Sequence, residues 1–272
     1  MKATRLLLCA ACALGLLLPA AAAGAAAAPV SSVMFLGNSY TFVNDLPAVF
    51  NALCKAGGAK VRVDSFTMGS CGLVDFYEVP KFNGGKKLLA KGKFDVIVMQ
   101  DQSLVPTIRP DWTLKYTRAW GRLAAKVNTR PVYFMTWARC TPGTLEPDMY
   151  MQDKTTTIYC QAALRDNVTL VPCGEVWREW HRLYPAETLY ESDGSHPNEL
   201  GAYLNACTFY KVLCGKSPLG LPHKLTLGSA TLVNLTPAQA RRCQELAEKV
   251  TDSFNPQAFL DSHQDLTAPD PE

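Results

Sequence analysis

The sequence predicts an α/β protein with three layers, α/β/α, around a central parallel sheet of about five strands. Three observations carry this. Short apolar, β-branched runs recur along the chain; Phe94-Asp95-Val96-Ile97-Val98-Met99 is continuous, as in a strand buried on both faces. Helix-length segments separate these runs, the pattern of right-handed βαβ units. The 272 residues are 48% hydrophobic and 19% charged, which suits one globular domain.

In chain order, Lys2 and Arg5 precede the apolar run Leu6 to Leu18, and Pro19 is followed by an alanine-rich tract to Ala28. A positive start, a short apolar core and small residues at the exit read as a signal peptide over residues 1–28, with cleavage after Ala23 or Ala28 both fitting. Export to the periplasm or the extracellular space follows, without stable membrane insertion after cleavage. A domain over 29–256 comes next. It opens on the apolar run Val33 to Leu36, and Leu46 to Ala56 reads as a helix stopped by Gly57-Gly58. Val61, Val63 and Phe66 alternate with polar residues, as in a strand at or near a sheet edge. After the strand at Phe94, a helix is predicted over 111–127, a strand over 131–137, a helix over 150–164 and a fifth strand over 168–172. Three more helices are predicted over 175–183, 198–213 and 237–254; Thr236-Pro237 caps the last of them. Residues 257–272 read as a flexible polar tail.

The formal net charge is +3, and without Lys2 and Arg5 it is +1 (25 Lys+Arg against 24 Asp+Glu). Nothing there argues for a nucleic-acid partner or an anionic membrane surface. Eight cysteines lie outside the leader, and an even number in an exported chain points to disulfides; their alternative role is as small buried hydrophobes. No cysteine and histidine spacing fits a structural zinc, so a structural metal is not expected.

The chemistry sits at two places. Four apolar residues run into Gly37-Asn38-Ser39, which puts Ser39 at the carboxyl end of the first strand, where open α/β sheets bind ligands. A serine there needs a base, and Asp193-Gly194-Ser195-His196 supplies an imidazole with a carboxylate three residues before it. Taken singly, Ser39 is equally a turn or cap serine, and Asp193-Gly194 an ordinary turn. Thr136, Trp137 and Arg139 follow the fourth strand at the same rim and are candidates for lining a substrate pocket.

These blocks resemble those of the SGNH/GDSL hydrolases over about residues 33 to 213. Gly37-Asn38-Ser39 is similar to the first block, with asparagine in place of aspartate. Gly72 resembles the second-block glycine, with Gly69 as the competing assignment. The third block, usually Gly-x-Asn-Asp, is here Gln100-Asp101-Gln102-Ser103; Gln102 falls where the asparagine would be, and Gln100 is its rival. Asp193-x-x-His196 matches the last block. The resemblance implies a flavodoxin-like sheet and a Ser39–His196–Asp193 triad that needs no metal or organic cofactor. It also implies an oxyanion hole from Ser39 N–H, Gly72 N–H and the Gln102 side chain. The activity implied is that of a secreted serine esterase removing a short acyl group, acetyl above all, from a small-molecule or glycan ester. A lipase of the same family, or a non-catalytic carbohydrate-binding module on the same fold, are the alternatives.

Overall fold

Val33, Met34, Phe35 and Leu36 are completely shielded from solvent, and the strand they form, β1 (Ser32–Gly37), runs through the middle of the molecule. The computed structural model describes residues 30–271; the signal-peptide reading falls outside them. β1 pairs in parallel with β2 (Arg62–Thr67) on one side and β3 (Val96–Met99) on the other. β4 (Arg130–Phe134) and β5 (Thr169–Val171) continue the sheet beyond β3, also in parallel. The order is β2-β1-β3-β4-β5, the five-stranded parallel sheet expected, with the half-exposed β2 at an edge. The winding direction reverses between β1 and β3, so a crevice opens beyond their carboxyl ends.

Strand pleating sorts the core into two halves. Val33, Phe35, Val96, Val98 and Phe134 face one way, and Met34, Leu36, Ile97, Met99 and Tyr133 the other. The helices follow in chain order as α1 (Ser39–Phe42), α2 (Leu46–Ala56), α3 (Leu73–Glu78), α4 (Gly84–Gly92) and α5 (Val105–Ile108). Next come α6 (Pro110–Lys126), α7 (Met149–Asp166), α8 (Cys173–Leu183), α9 (Glu199–Cys214), α10 (Pro237–Ser253) and α11 (Pro256–Ser262). Helices α2, α8, α9 and α10 cover the first face, and α3, α4, α6 and α7 the second. This is the three-layer α/β/α architecture.

One element was not expected and two expectations are corrected. An antiparallel hairpin, β6 (Lys224–Leu227) and β7 (Ala230–Asn234), lies apart from the main sheet and buries Leu225 and Val233 against the first core half. The segment read as a flexible tail forms α11 and a short 3-10 turn, with Phe259, Leu260 and Ala268 packed on the second core half. Asp270 holds it down, accepting from Arg118 at 3.0 Å and Arg165 at 2.9 Å. Finally, none of the eight described cysteines is in a disulfide. Six are buried and pack as small apolar groups. Cys54 and Cys214, at the carboxyl ends of α2 and α9, approach to 3.6 Å between sulfurs, well beyond the bonded distance of about 2.05 Å.

Candidate active site

At the carboxyl end of β1 the backbone turns directly into α1, and Asn38 caps it by accepting from Tyr40 N–H at 3.1 Å. Only glycine fits before it: a Cβ on Gly37 would stand 2.3 Å from Thr41 Oγ1 and 2.6 Å from Gln100 Oε1. The turn delivers Ser39 half-buried at the first position of α1. There its N–H has no intrahelical acceptor, because the helix has no preceding turn.

Ser39 Oγ lies 2.8 Å from His196 Nε2, although 157 residues separate them in sequence. His196 Nδ1 lies 2.5 Å from Asp193 Oδ2. The other oxygen of Asp193 accepts from the N–H groups of Ser195 and His196, both at 2.9 Å. Burial opposes ionisation of Asp193. The bonds from the His196 ring and from the two N–H groups outweigh it and hold the carboxyl below its ordinary range. Ser39, His196 and Asp193 are therefore joined in one continuous run of hydrogen-bond contacts.

The two loops that meet here are clipped together by residues the motifs do not contain. Tyr40 Oη is 2.8 Å from Ser195 Oγ, and Asn44 Nδ2 donates to Pro197 O at 2.8 Å. Trp137 Nε1 donates to Ser195 O at 3.0 Å. Trp137 also stacks between Tyr40 (centroids 4.7 Å) and Trp177 (4.0 Å). It and Thr136 are wholly inaccessible, so neither lines a substrate pocket, contrary to expectation. The apolar faces of Tyr40 and Trp177 leave the Trp137 ring no path to solvent.

The rival glutamines separate cleanly. Gln100 is spent on the turn: its Oε1 accepts from Asn38 N–H (2.9 Å) and Thr41 Oγ1 (3.0 Å), and its Nε2 donates to Asn38 Oδ1 (3.1 Å). Gln102 Oε1 accepts from Leu104 N–H at 2.7 Å, while its NH2 has no acceptor among the described residues. Gln102 stands beside Gly72, where an added Cβ would lie 3.5 Å from Gln102 Cβ and 2.7 Å from Asp101 Oδ1. The Gly72 N–H differs from expectation. It donates to Asp75 Oδ2 at 2.8 Å, closing the first turn of α3, and so is engaged rather than open. Gly69 has only Phe42 near it.

Asp101, between the two glutamines, is the residue motif reading passed over. Its carboxylate accepts from Leu73 N–H (3.0 Å), Gln102 N–H (2.8 Å) and Thr113 Oγ1 (2.7 Å). It ties the loop after β2 to the loop after β3 and so fixes Gly72 against Gln102. Burial raises its pKa, and these three donors oppose the rise. Its signal in the sequence is weak: an acid two residues past an apolar strand. Burial and then the Asp75 carboxylate push the Cys71 thiol up, which disfavours its thiolate.

Among the described residues, no group of three or more His, Cys, Asp or Glu side chains is placed to hold a metal ion, and no helix is long and apolar enough to cross a membrane.

No family model matches the sequence, and no curated protein matches it. Solved structures do. A DUF4886 family protein from Bacteroides uniformis is similar over 82% of this chain and 95% of its own, at 18% identity and a TM-score of 0.65. A protein from Slackia heliotrinireducens, described as a candidate SGNH hydrolase, is similar over 68% of this chain and 99% of its own, at 23% identity and a TM-score of 0.56. A catalytic mutant of an acetylxylan esterase from Geobacillus stearothermophilus is similar over 68% and 94%, at 15% identity and a TM-score of 0.53. At these identities the likeness is one of fold.

Proposed function

We propose that this chain, whose fold is that of the SGNH hydrolases, is an exported serine esterase that removes a short acyl group from a small-molecule or glycan ester. The observation that supports it most is the continuous relay from Ser39 Oγ through His196 to Asp193, at 2.8 and 2.5 Å. His196 takes the Ser39 proton as Ser39 attacks the ester carbonyl, then returns a proton to the leaving alcohol; Asp193 fixes the ring orientation. Ser39 N–H and the Gln102 NH2 are the donors free to hold the oxyanion, and Gly72 N–H joins them when Asp75 releases it. Water then attacks the acyl-enzyme with His196 again as base. An acetylated glycan is the first substrate to try, because an acetylxylan esterase is among the structural neighbours. Export rests on the leader sequence.

Hydrolysis of 4-nitrophenyl acetate by the protein beginning at residue 29 tests this beside Ser39→Ala and Gln102→Ala. Ser39→Ala should fall to the buffer rate with its circular dichroism unchanged. Gln102→Ala should lose on the order of 100-fold or more in kcat. Equal activity in wild type and Ser39→Ala would remove Ser39 from the mechanism.

A further inference from the structure

One cation at this site has no anion. Arg139 lies just beyond β4, half-buried, and its guanidinium is docked against neutral hydroxyls. Nε and Nη2 both donate to Ser103 Oγ, at 3.2 and 2.7 Å. Ser103 is buried next to Gln102, and both Arg139 and Ser103 lie against the Tyr40 hydroxyl. Most described arginines pair with a carboxylate, as Arg118 and Arg165 do with Asp166. No carboxylate among the described residues lies within 4.0 Å of a guanidinium nitrogen of Arg139. A guanidinium offers five N–H donors in a flat fork. Here a single hydroxyl serves two of them, and Nη1 has no acceptor among the described residues.

The position is specific. Tyr40 follows Ser39 in the chain, and its hydroxyl reaches from Arg139 to Ser195, the neighbour of His196. His196 is the group that returns a proton to the leaving alcohol, so the alcohol part of a bound ester departs toward this flank.

We infer that Arg139 is an anion-binding arm of the site, which takes a carboxylate carried on the alcohol part of the ester. The substrate class is then an acyl ester of a hydroxy acid, such as an acidic sugar, rather than of a neutral alcohol. This rests on the esterase reading above. The fork meets both oxygens of a carboxylate at once, and Ser103 holds the fork in place beforehand.

The test compares 3- and 4-acetoxybenzoate with their methyl esters. Each pair shares its acyl group and differs in the carboxylate. The methyl esters have the better leaving groups, so a preference for the acids must come from the protein. The wild type should favour at least one acid over its methyl ester by about tenfold or more in kcat/KM, and added salt should shrink that ratio. Arg139→Gln should abolish the preference, and Arg139→Lys should keep part of it by retaining the charge. Circular dichroism checks that both variants fold. Either a wild type without the preference, or an Arg139→Gln ratio equal to the wild-type ratio, overturns the assignment while the esterase reading stands. Failure of the wild type on all four esters and on 4-nitrophenyl acetate overturns both.

Discussion

Asn38 is buried, and its side chain works in both directions. Its Oδ1 accepts from Tyr40 N–H, and its Nδ2 donates to Cys71 O at 2.8 Å and Asp101 O at 3.4 Å. An aspartate there could cap α1 but would turn a carboxylate oxygen toward two carbonyls. Asn38→Asp should therefore lower stability by about 1–3 kcal/mol in urea unfolding, the usual cost of a buried group left facing the wrong partner. Restoring the commoner motif would thus weaken this protein. Asp193 and His196 were readable because they stand three residues apart, and Ser39, 157 positions away, because it directly follows an apolar strand and a turn. The choice between Gln100 and Gln102 was not, because both sit at a strand end on the same side of the pleat. Only the partners of each amide separate them. Trp137 misled for a related reason: a ring just past a strand can turn outward or inward, and the flat faces of Tyr40 and Trp177 that hold it lie 97 and 40 positions away.

Elements marked by an apolar run or a clear start or stop were evident from sequence, and the shortest helices were not. Strands β1, β3 and β4 carry apolar runs, and α2 and α10 are bounded by a glycine stop and a Thr-Pro start. Helices α1 and α5 are four residues each, too short to persist on propensity, and exist because the loops around them are pinned. The ordered carboxyl-terminal segment depends on Arg118 and Arg165, more than 100 residues upstream. Helices α2 and α9 pack side by side and bring Cys54 and Cys214 together. The bond from Cys54 and the charge of Lys216 lower the pKa of the Cys214 thiol, which favours it as the attacking thiolate. With oxidised glutathione as acceptor, these two should form a disulfide before any other pair, seen by mass spectrometry of unreduced peptides. Closing so long a loop would stabilise the fold by about 5 kcal/mol at most. A Cys54→Ser variant should show no thermal shift between oxidised and reduced samples.

For the molecule as a whole, His181 sets a pH limit. It stacks on Tyr190 (5.3 Å), and its Nε2 is buried without a partner among the described residues. Burial pushes its pKa down to about 4, from an ordinary value of 6.5. A histidine with a depressed folded pKa contributes stability above its unfolded value, and that contribution is lost as pH falls toward the folded one. Between about pH 6.5 and 4 the wild type should lose up to about 3 kcal/mol from this source. His181→Phe keeps the stacked ring without the charge, and its Tm should vary less with pH over the same window.

The parallel order β2-β1-β3-β4-β5 also has a meaning in time. Every strand pair of this sheet needs a crossover before it can close, and Ser39 and His196 stand 157 positions apart. A ribosome releases Ser39 long before it makes His196, and no half of the chain carries both. The unfinished polypeptide, or one threaded unfolded through a translocation pore, therefore holds a serine without a base. Under the proposed function, acyl transfer can begin only once His196 has docked beside Ser39, so the compartment that makes the protein is spared its activity until folding is done.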